Sequence, residues 1–183
     1  MDTVYLDNAA TTRIDDQVIS AMHESMTSNF GNPSSTHAFG RKAKAAVETA
    51  RKSIASLLNV PSASIVFTSG GTEADNMAIS CAVRDLGVTR IISSKIEHHA
   101  VLNCVEFLEA EHKIDLQFVN LDKEGSIDLG HLESLLAENS SAKTLVSLMH
   151  VNNEIGNILD LKSVGNLCQK YKAYFHSDTV QSV

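Results

Sequence analysis

Three short stretches, together with Asn153, combine residue types that can do chemistry together. Ser69-Gly70-Gly71-Thr72 follows an apolar run and opens a helical pattern. Its glycines permit close backbone approach, a helix N-terminus offers N–H groups and the positive end of a dipole, and Thr72 adds a hydroxyl, which makes a cradle for phosphate. The stretch has neither the GxxxxGK[ST] nor the GxGxxG spacing, so one phosphate monoester suits it better than a nucleoside triphosphate. A plain helix cap by Ser69 or Thr72 would use the same residues. In Glu97-His98-His99 the paired histidines suggest a metal. Successive side chains point apart, however, and no HExxH pattern or cysteine partner is near, so no metal is expected. An imidazole at His98 can stack on a flat ring or move a proton near neutral pH, or simply close a loop.

His176-Ser177-Asp178-Thr179-Val180-Gln181 ends an apolar run with a carboxylate. A carboxylate partly buried there needs a donor or a positive partner. A protonated pyridine nitrogen would suit Asp178, because the nearby negative charge favours the protonated ring; capping the following turn is the plainer use. Asn153 and Gln181 could donate to oxygens on such a ring. One phosphate, one flat ring and one ring nitrogen kept protonated together describe pyridoxal phosphate.

These stretches must be held by elements, and the chain alternates strand and helix after residue 60. Apolar strands are expected at Ile65–Ser69, Thr89–Ser94, Leu116–Leu121, Thr144–His150 and Ala173–Asp178. Helical patterns follow the first four, at about Thr72–Leu86, His99–His112, Leu129–Glu138 and Leu161–Tyr171. Such alternation implies an α/β fold, a mostly parallel sheet with helices on both faces, whose ligand site lies beyond the carboxyl ends of the strands. The candidate residues sit at those ends. Two helices come earlier. Asp15 and Asp16 can cap one that carries Val18, Met22 and Met26; Ser35 or Thr36 can start another with Ala43, Ala46, Val47, Ala50, Ile54 and Leu57 inward.

The 183 residues suit one domain by size, and 43% apolar residues can build a core. The formal charge is −7 and no basic block is present, so nucleic acid and anionic membranes are poor partners. No apolar run approaches the roughly 18 residues of a membrane span, and MDTVYLDNAATT does not read as a secretory signal. Cys81, Cys104 and Cys168 lie in helical patterns without CxxC spacing, which predicts buried, reduced thiols in a reducing, cytoplasmic setting.

The sequence resembles the cysteine desulfurases of the class V aminotransferase group, within fold-type I pyridoxal-phosphate enzymes. The matching stretches are YLDNAATT, FGNPSSTHAFGRKA, FTSGGTEADNMAI, IEHHAVL, MHVNNEIG and HSDTVQS, in the family's order and across nearly the whole chain. The wording NPSSTH and VNNEIG is similar to the group serving iron–sulfur cluster assembly and nitrogenase maturation. The resemblance implies that Gly71 and Thr72 bind the cofactor phosphate, that His98 stacks on the pyridine ring and shuttles protons, and that Asp178 pairs with the ring nitrogen. It further implies that Gln181 donates to the phenolic oxygen and that Asn153 lies near cofactor and substrate carboxylate. Thr179 stands where alanine is expected, and Asn157-Ile158-Leu159 departs from the usual run; neither is a proposed contact.

By this resemblance the reaction converts L-cysteine to L-alanine and leaves sulfur on an enzyme cysteine as a persulfide, in a homodimer that serves an iron–sulfur scaffold or other sulfur-acceptor protein. Residues 1–14 would belong with a small domain and 15–183 with a partial large, cofactor-binding domain. The family's cofactor lysine, in a Ser-x-His-Lys stretch, lies beyond Val183, as do its sulfur-accepting cysteine and substrate-binding arginine. The 183 residues alone are therefore expected not to turn over cysteine. The family's seven-stranded sheet would have its first five strands here, leaving about 14 Å between the strand ending at Ser69 and that ending at Asp178, or else a displaced first strand. Half of a selenocysteine lyase or of another class V aminotransferase, and a non-catalytic fragment that binds a partner, are the alternative readings.

Overall fold

A computed structural model describes residues 3–139 and 141–183, in two compact units that divide between Phe67 and Thr68. In the first unit, α1 spans Asp16–Ser28 and α2 spans Ala38–Leu57, followed by a 3-10 turn at Ser62–Ser64. Asp15 caps α1 as expected, its carboxylate accepting from the Gln17 N–H at 2.8 Å. The cap of α2 is His37 rather than Ser35 or Thr36; its Nδ1 accepts from Gly40 N–H. The preceding NPSS loop packs against the first turn of α2. A Cβ at Gly40 would stand 2.3 Å from the Ser35 carbonyl oxygen, so only glycine fits there.

The expected inward face of α2 is largely not buried. Ala43 is buried, together with Gly40 and Ala55, whereas Val47, Ile54 and Leu57 are exposed. The stripe Val18, Met22 and Met26 of α1 is exposed as well. The 3.6-residue spacing is real in both helices, but spacing sets which residues share a face and not what covers it.

The second unit alternates helix and strand: α3 Gly71–Arg84, β1 Arg90–Ser93, α4 His99–His112, β2 Asp115–Phe118, α5 Leu129–Glu138, β3 Thr144–Ser147, α6 Leu161–Lys170 and β4 Tyr174–His176. The strands pair in parallel in the order β2-β1-β3-β4. Alternate residues of the two central strands go to opposite faces. Ile91 and Leu145 pack with Ile79, Val101, Val105 and Leu108 beneath α3 and α4. Ile92 and Val146 pack with Leu132, Leu136, Val164 and Cys168 beneath α5 and α6. Both faces of β1 and β3 are therefore buried at every position, as a parallel sheet covered by helices on both sides requires, with the polar residues Arg90, Ser93, Thr144 and Ser147 at the strand ends. Among the described residues no helix is long and apolar enough to cross a membrane.

The α/β class and the helices after residue 70 agree with the sequence reading to within a residue or two. The strand expected at Ile65–Ser69 does not form. Ile65 is extended, with φ −91° and ψ 122°, but the segment pairs with none of the four strands, and an extended segment becomes a strand only through a partner. The Ile65 carbonyl instead accepts from the Arg51 guanidinium, whose plane also lies over the Phe67 ring at 4.8 Å.

Burial separates two leucines of similar sequence appearance. Leu132 is fully buried and Leu57 is 87% exposed. Leu132→Ala should lower unfolding free energy by about 2–5 kcal/mol, and Leu57→Ala should change it by about 0.5 kcal/mol or less. Urea denaturation of the two variants checks both.

Candidate functional site

The candidate residues after Thr68 gather where strands end and helices begin. Gly70 is the N-cap of α3 and supplies no side-chain cap. A Cβ built at Gly70 would meet nothing within 4 Å, so the helix mouth opens onto free space. Gly71 and Thr72 form the first turn. Ahead of them the Glu73 carboxylate folds back to accept from the Ser69 N–H and hydroxyl, each at 2.6 Å, which fixes the turn and lowers the Glu73 pKa. Ser69 and Thr72 thus do not use their side chains as the plain cap of α3.

His98 is the N-cap of α4. It is exposed, and its Nδ1 accepts from the Ala100 N–H at 3.1 Å. That bond leaves the proton of the neutral ring on Nε2. Thr72 and His98 line one open depression with Asn76, His99 and Asn103; Asn153, Asp178 and Gln181 are not among its lining residues.

Asp178 is buried, at 8% exposure. Its Oδ1 accepts from Val180 N–H at 2.9 Å, so the turn-capping role is present, and its backbone carbonyl accepts from His150 N–H at 2.9 Å. The turn it caps returns the chain toward α3: a Cβ at Gly71 would lie 2.6 Å from Val180 Cγ2. The cradle and the carboxylate segment are therefore in direct contact, and glycine at 71 is what allows it. Gln181 is exposed. Asn153 is half-buried and donates to Glu154 Oε1 at 2.8 Å. Its neighbour Asn152 organises the loop, donating to the Ile96 carbonyl at 2.7 Å and accepting from Glu154 and Ile155 N–H.

Sequence reasoning missed Glu97 as more than a metal candidate. It is 6% exposed; Oε1 accepts from Ser94 Oγ at 2.5 Å and Oε2 from Met149 N–H at 2.8 Å. Its carboxyl joins the end of β1 to the end of β3 and forms one wall of a cavity of about 170 Å³ between the 94–97 and 125–129 loops. Burial pushes its pKa up to about 7 against the Ser94 and Met149 hydrogen bonds, with the negative charges of Asp178 and Asp75 adding to the rise. The available signal was an acidic residue just past the carboxyl end of a strand, where a solvated loop would have been the ordinary case.

The site residues fit a phosphorylated, cationic ring. An uncapped helix mouth with room before it suits phosphate, and a buried carboxylate among other acids suits a positive ring nitrogen. The family model described as aminotransferase class-V matches residues 4–183. The chain belongs to this family. It is 43% identical over 182 residues to the cysteine desulfurase IscS of Dictyoglomus turgidum, which covers 98% of the chain and 45% of that relative. A solved NifS-like protein superimposes with a TM-score of 0.92 at 34% identity, over 98% of this chain and 49% of the other. SspA, solved in complex with cysteine, gives a TM-score of 0.88 at 32% identity, over 98% and 51%. The chain spans about half the length of the curated relatives it matches.

The raised Glu97 pKa makes stability depend on pH. Unfolded, Glu97 ionises near 4.5; folded, it holds its proton to about 7. Below pH 4.5 it costs nothing, and as pH rises through 7 the folded state loses on the order of 3 kcal/mol. Glu97→Gln keeps a neutral group able to accept from Met149 N–H and donate to Ser94 Oγ. The fall in urea-unfolding free energy between pH 4.5 and 8 should shrink by about that amount in the variant.

Proposed function

We propose that this chain carries the cofactor-binding half of a pyridoxal-phosphate-dependent cysteine desulfurase, which converts L-cysteine to L-alanine and passes the sulfur to an enzyme cysteine. The observation that carries the reading is the contact between the Gly71 cradle and the Asp178 turn, inside a chain similar to named desulfurases over its whole length. When bound, the cofactor supplies an electron sink for bond cleavage at the substrate carbons.

The chain's residues bind, orient and move protons. The N–H groups of the first turn of α3 and the Thr72 hydroxyl hold the phosphate. Asp178 keeps a proton on the ring nitrogen, and Gln181 donates to the ring's phenolic oxygen. His98 stacks over the ring and donates a proton from Nε2, since Nδ1 is occupied by Ala100 N–H. Taking a proton at Nδ1 requires releasing that cap. Asn153 orients the substrate carboxylate near the ring, which requires its amide to leave Glu154. Cys104 and Cys168 are poor sulfur acceptors, because burial pushes both thiols up, Cys168 to about 11. The acceptor and the cofactor lysine are assigned to the half that the relatives have in addition.

We further assign residues 1–14 to a small domain and 15–183 to the large one, and place the protein in the cytoplasm as a homodimer that delivers sulfur to an iron–sulfur scaffold or another acceptor protein. What supports the sulfur-delivery part of this reading is the similarity to proteins named IscS.

A protein carrying these residues together with the second half should form alanine from L-cysteine in the presence of pyridoxal phosphate, whereas the 183 residues alone should give no sustained turnover. Alanine and sulfide assays on both decide it; turnover by the shorter chain, or none by the longer, contradicts the proposal. His98→Asn separates cap from chemistry. An asparagine oxygen still accepts from Ala100 N–H, so stability should stay within about 1 kcal/mol, while turnover should fall by about 10²–10⁴-fold.

A further inference from the structure

Helix α3 and strand β4 present the two anchors of the site on different elements. The helix rests on the sheet through apolar side chains, Ile79 and Ala82 among them. Apolar packing is non-directional and does not by itself fix how far a helix has slid along the sheet. Among the described residues, one polar contact between α3 and the sheet does, beside the bond from Asn76 Nδ2 to the Ala100 carbonyl of α4 at 3.0 Å. Asp75, buried at 5% exposure, points its carboxylate at His176, with Oδ1 3.4 Å from Nε2. The other ring nitrogen, Nδ1, lies 2.9 Å from Oγ of Ser147, which is fully buried in β3. Ser147 is itself tied to β1 through its carbonyl, which accepts from Ser93 Oγ at 3.0 Å. With the carboxylate facing Nε2, that nitrogen carries the proton and Ser147 donates to Nδ1.

The positions of the two residues make the contact relevant to the site. Asp75 lies four residues after Gly71, about 6 Å along the helix. His176 lies two residues before Asp178 on the same side of the chain, about 7 Å along an extended strand. The tie therefore stands one helical turn from the phosphate cradle and one strand repeat from the ring-nitrogen carboxylate. Ser147 has no exposed surface, so the Asp-His-Ser order offers no nucleophile to a substrate.

We propose that His176, held between Asp75 and Ser147, is the positioning residue that sets the spacing between the Gly71–Thr72 phosphate cradle and Asp178. This inference rests on the reading that both groups hold one cofactor. A ligand that spans both anchors depends on their spacing, and a ligand that touches one does not.

The test uses the full-length protein freed of cofactor and titrated with pyridoxal phosphate, followed by absorbance and fluorescence. Inorganic phosphate is measured separately as a competitor. His176→Phe keeps ring volume and removes both polar contacts; Asp75→Asn removes the charge from the other side. Each should weaken pyridoxal phosphate by roughly tenfold or more and leave the phosphate inhibition constant unchanged. The double variant should be no worse than the weaker-binding single one, because the two act as a unit. His176→Gln, which can still present an N–H to Asp75, should recover most of the affinity. Pyridoxal-phosphate affinity within twofold of the parent in both single variants overturns the proposal. So does equal weakening of both ligands, which would mean that the cradle itself is disturbed. Should His176→Phe fail to fold, Asp75→Asn and His176→Gln carry the comparison. A parent protein that binds no pyridoxal phosphate overturns the functional reading instead, and so separates the two failures.

Discussion

The parallel pairing of β1 with β3 is the constraint on which the rest of the second unit depends. Ile91 stands opposite Leu145 and Ile92 opposite Val146, and every residue of both strands is buried. With both faces buried, polar groups can enter only at the ends. In a parallel sheet all strands point the same way, so every carboxyl end opens at one edge. The loop holding Glu97 and His98, the loop holding Asn152 and Asn153, and the turn holding Asp178 consequently meet at a single rim. The rim is a result of how the apolar strands pair.

Past the last strand residues the hydrogen-bond ladder continues with substitutes. Successive N–H groups of a parallel strand point to alternate neighbours. Leu148 and His150 donate toward β4, to the carbonyls of His176 and Asp178, and Met149 donates the other way. β1 has already turned aside there, and the acceptor is the Glu97 side chain. A carboxyl group thus takes the place of a missing backbone carbonyl. The same bond fixes the residue just before His98, so the ladder that builds the sheet also sets where the imidazole begins.

How much of this was legible in the sequence depended on range. Local signals served in part: Asp15 caps α1 as expected, whereas His37 and not Ser35 or Thr36 caps α2; of the leucines at 129, 132, 135 and 136 that share one face, the last three are buried and Leu129 partly so. Period alone was insufficient where the covering surface decides burial, as at Val47, Ile54 and Leu57 on α2. Ile65–Ser69 has strand composition but no pairing partner, and pairing is not a local property. Within the site, His98, Asp178 and the Gly71 turn stood out because their residue types are unusual at strand ends. Glu97 and Asp75 did not. Their importance lies in burial against groups that are distant in the sequence, Met149 and His176.

Electrostatics explains why that rim tolerates so many acids. Asp75, Glu97 and Asp178 are all less than a tenth exposed, and three negative charges so placed would repel one another strongly. Each is handled differently. Asp75 faces an imidazole, Asp178 accepts backbone N–H, and Glu97 keeps its proton up to about pH 7. Asp178 contributes to that last effect through its charge. A positive ring nitrogen at Asp178, in the function proposed above, would offset the charge that raises Glu97. Cofactor occupancy and Glu97 protonation are then linked by reciprocity: whatever makes Glu97 easier to ionise when the ring is present makes the ring bind more firmly once Glu97 has ionised.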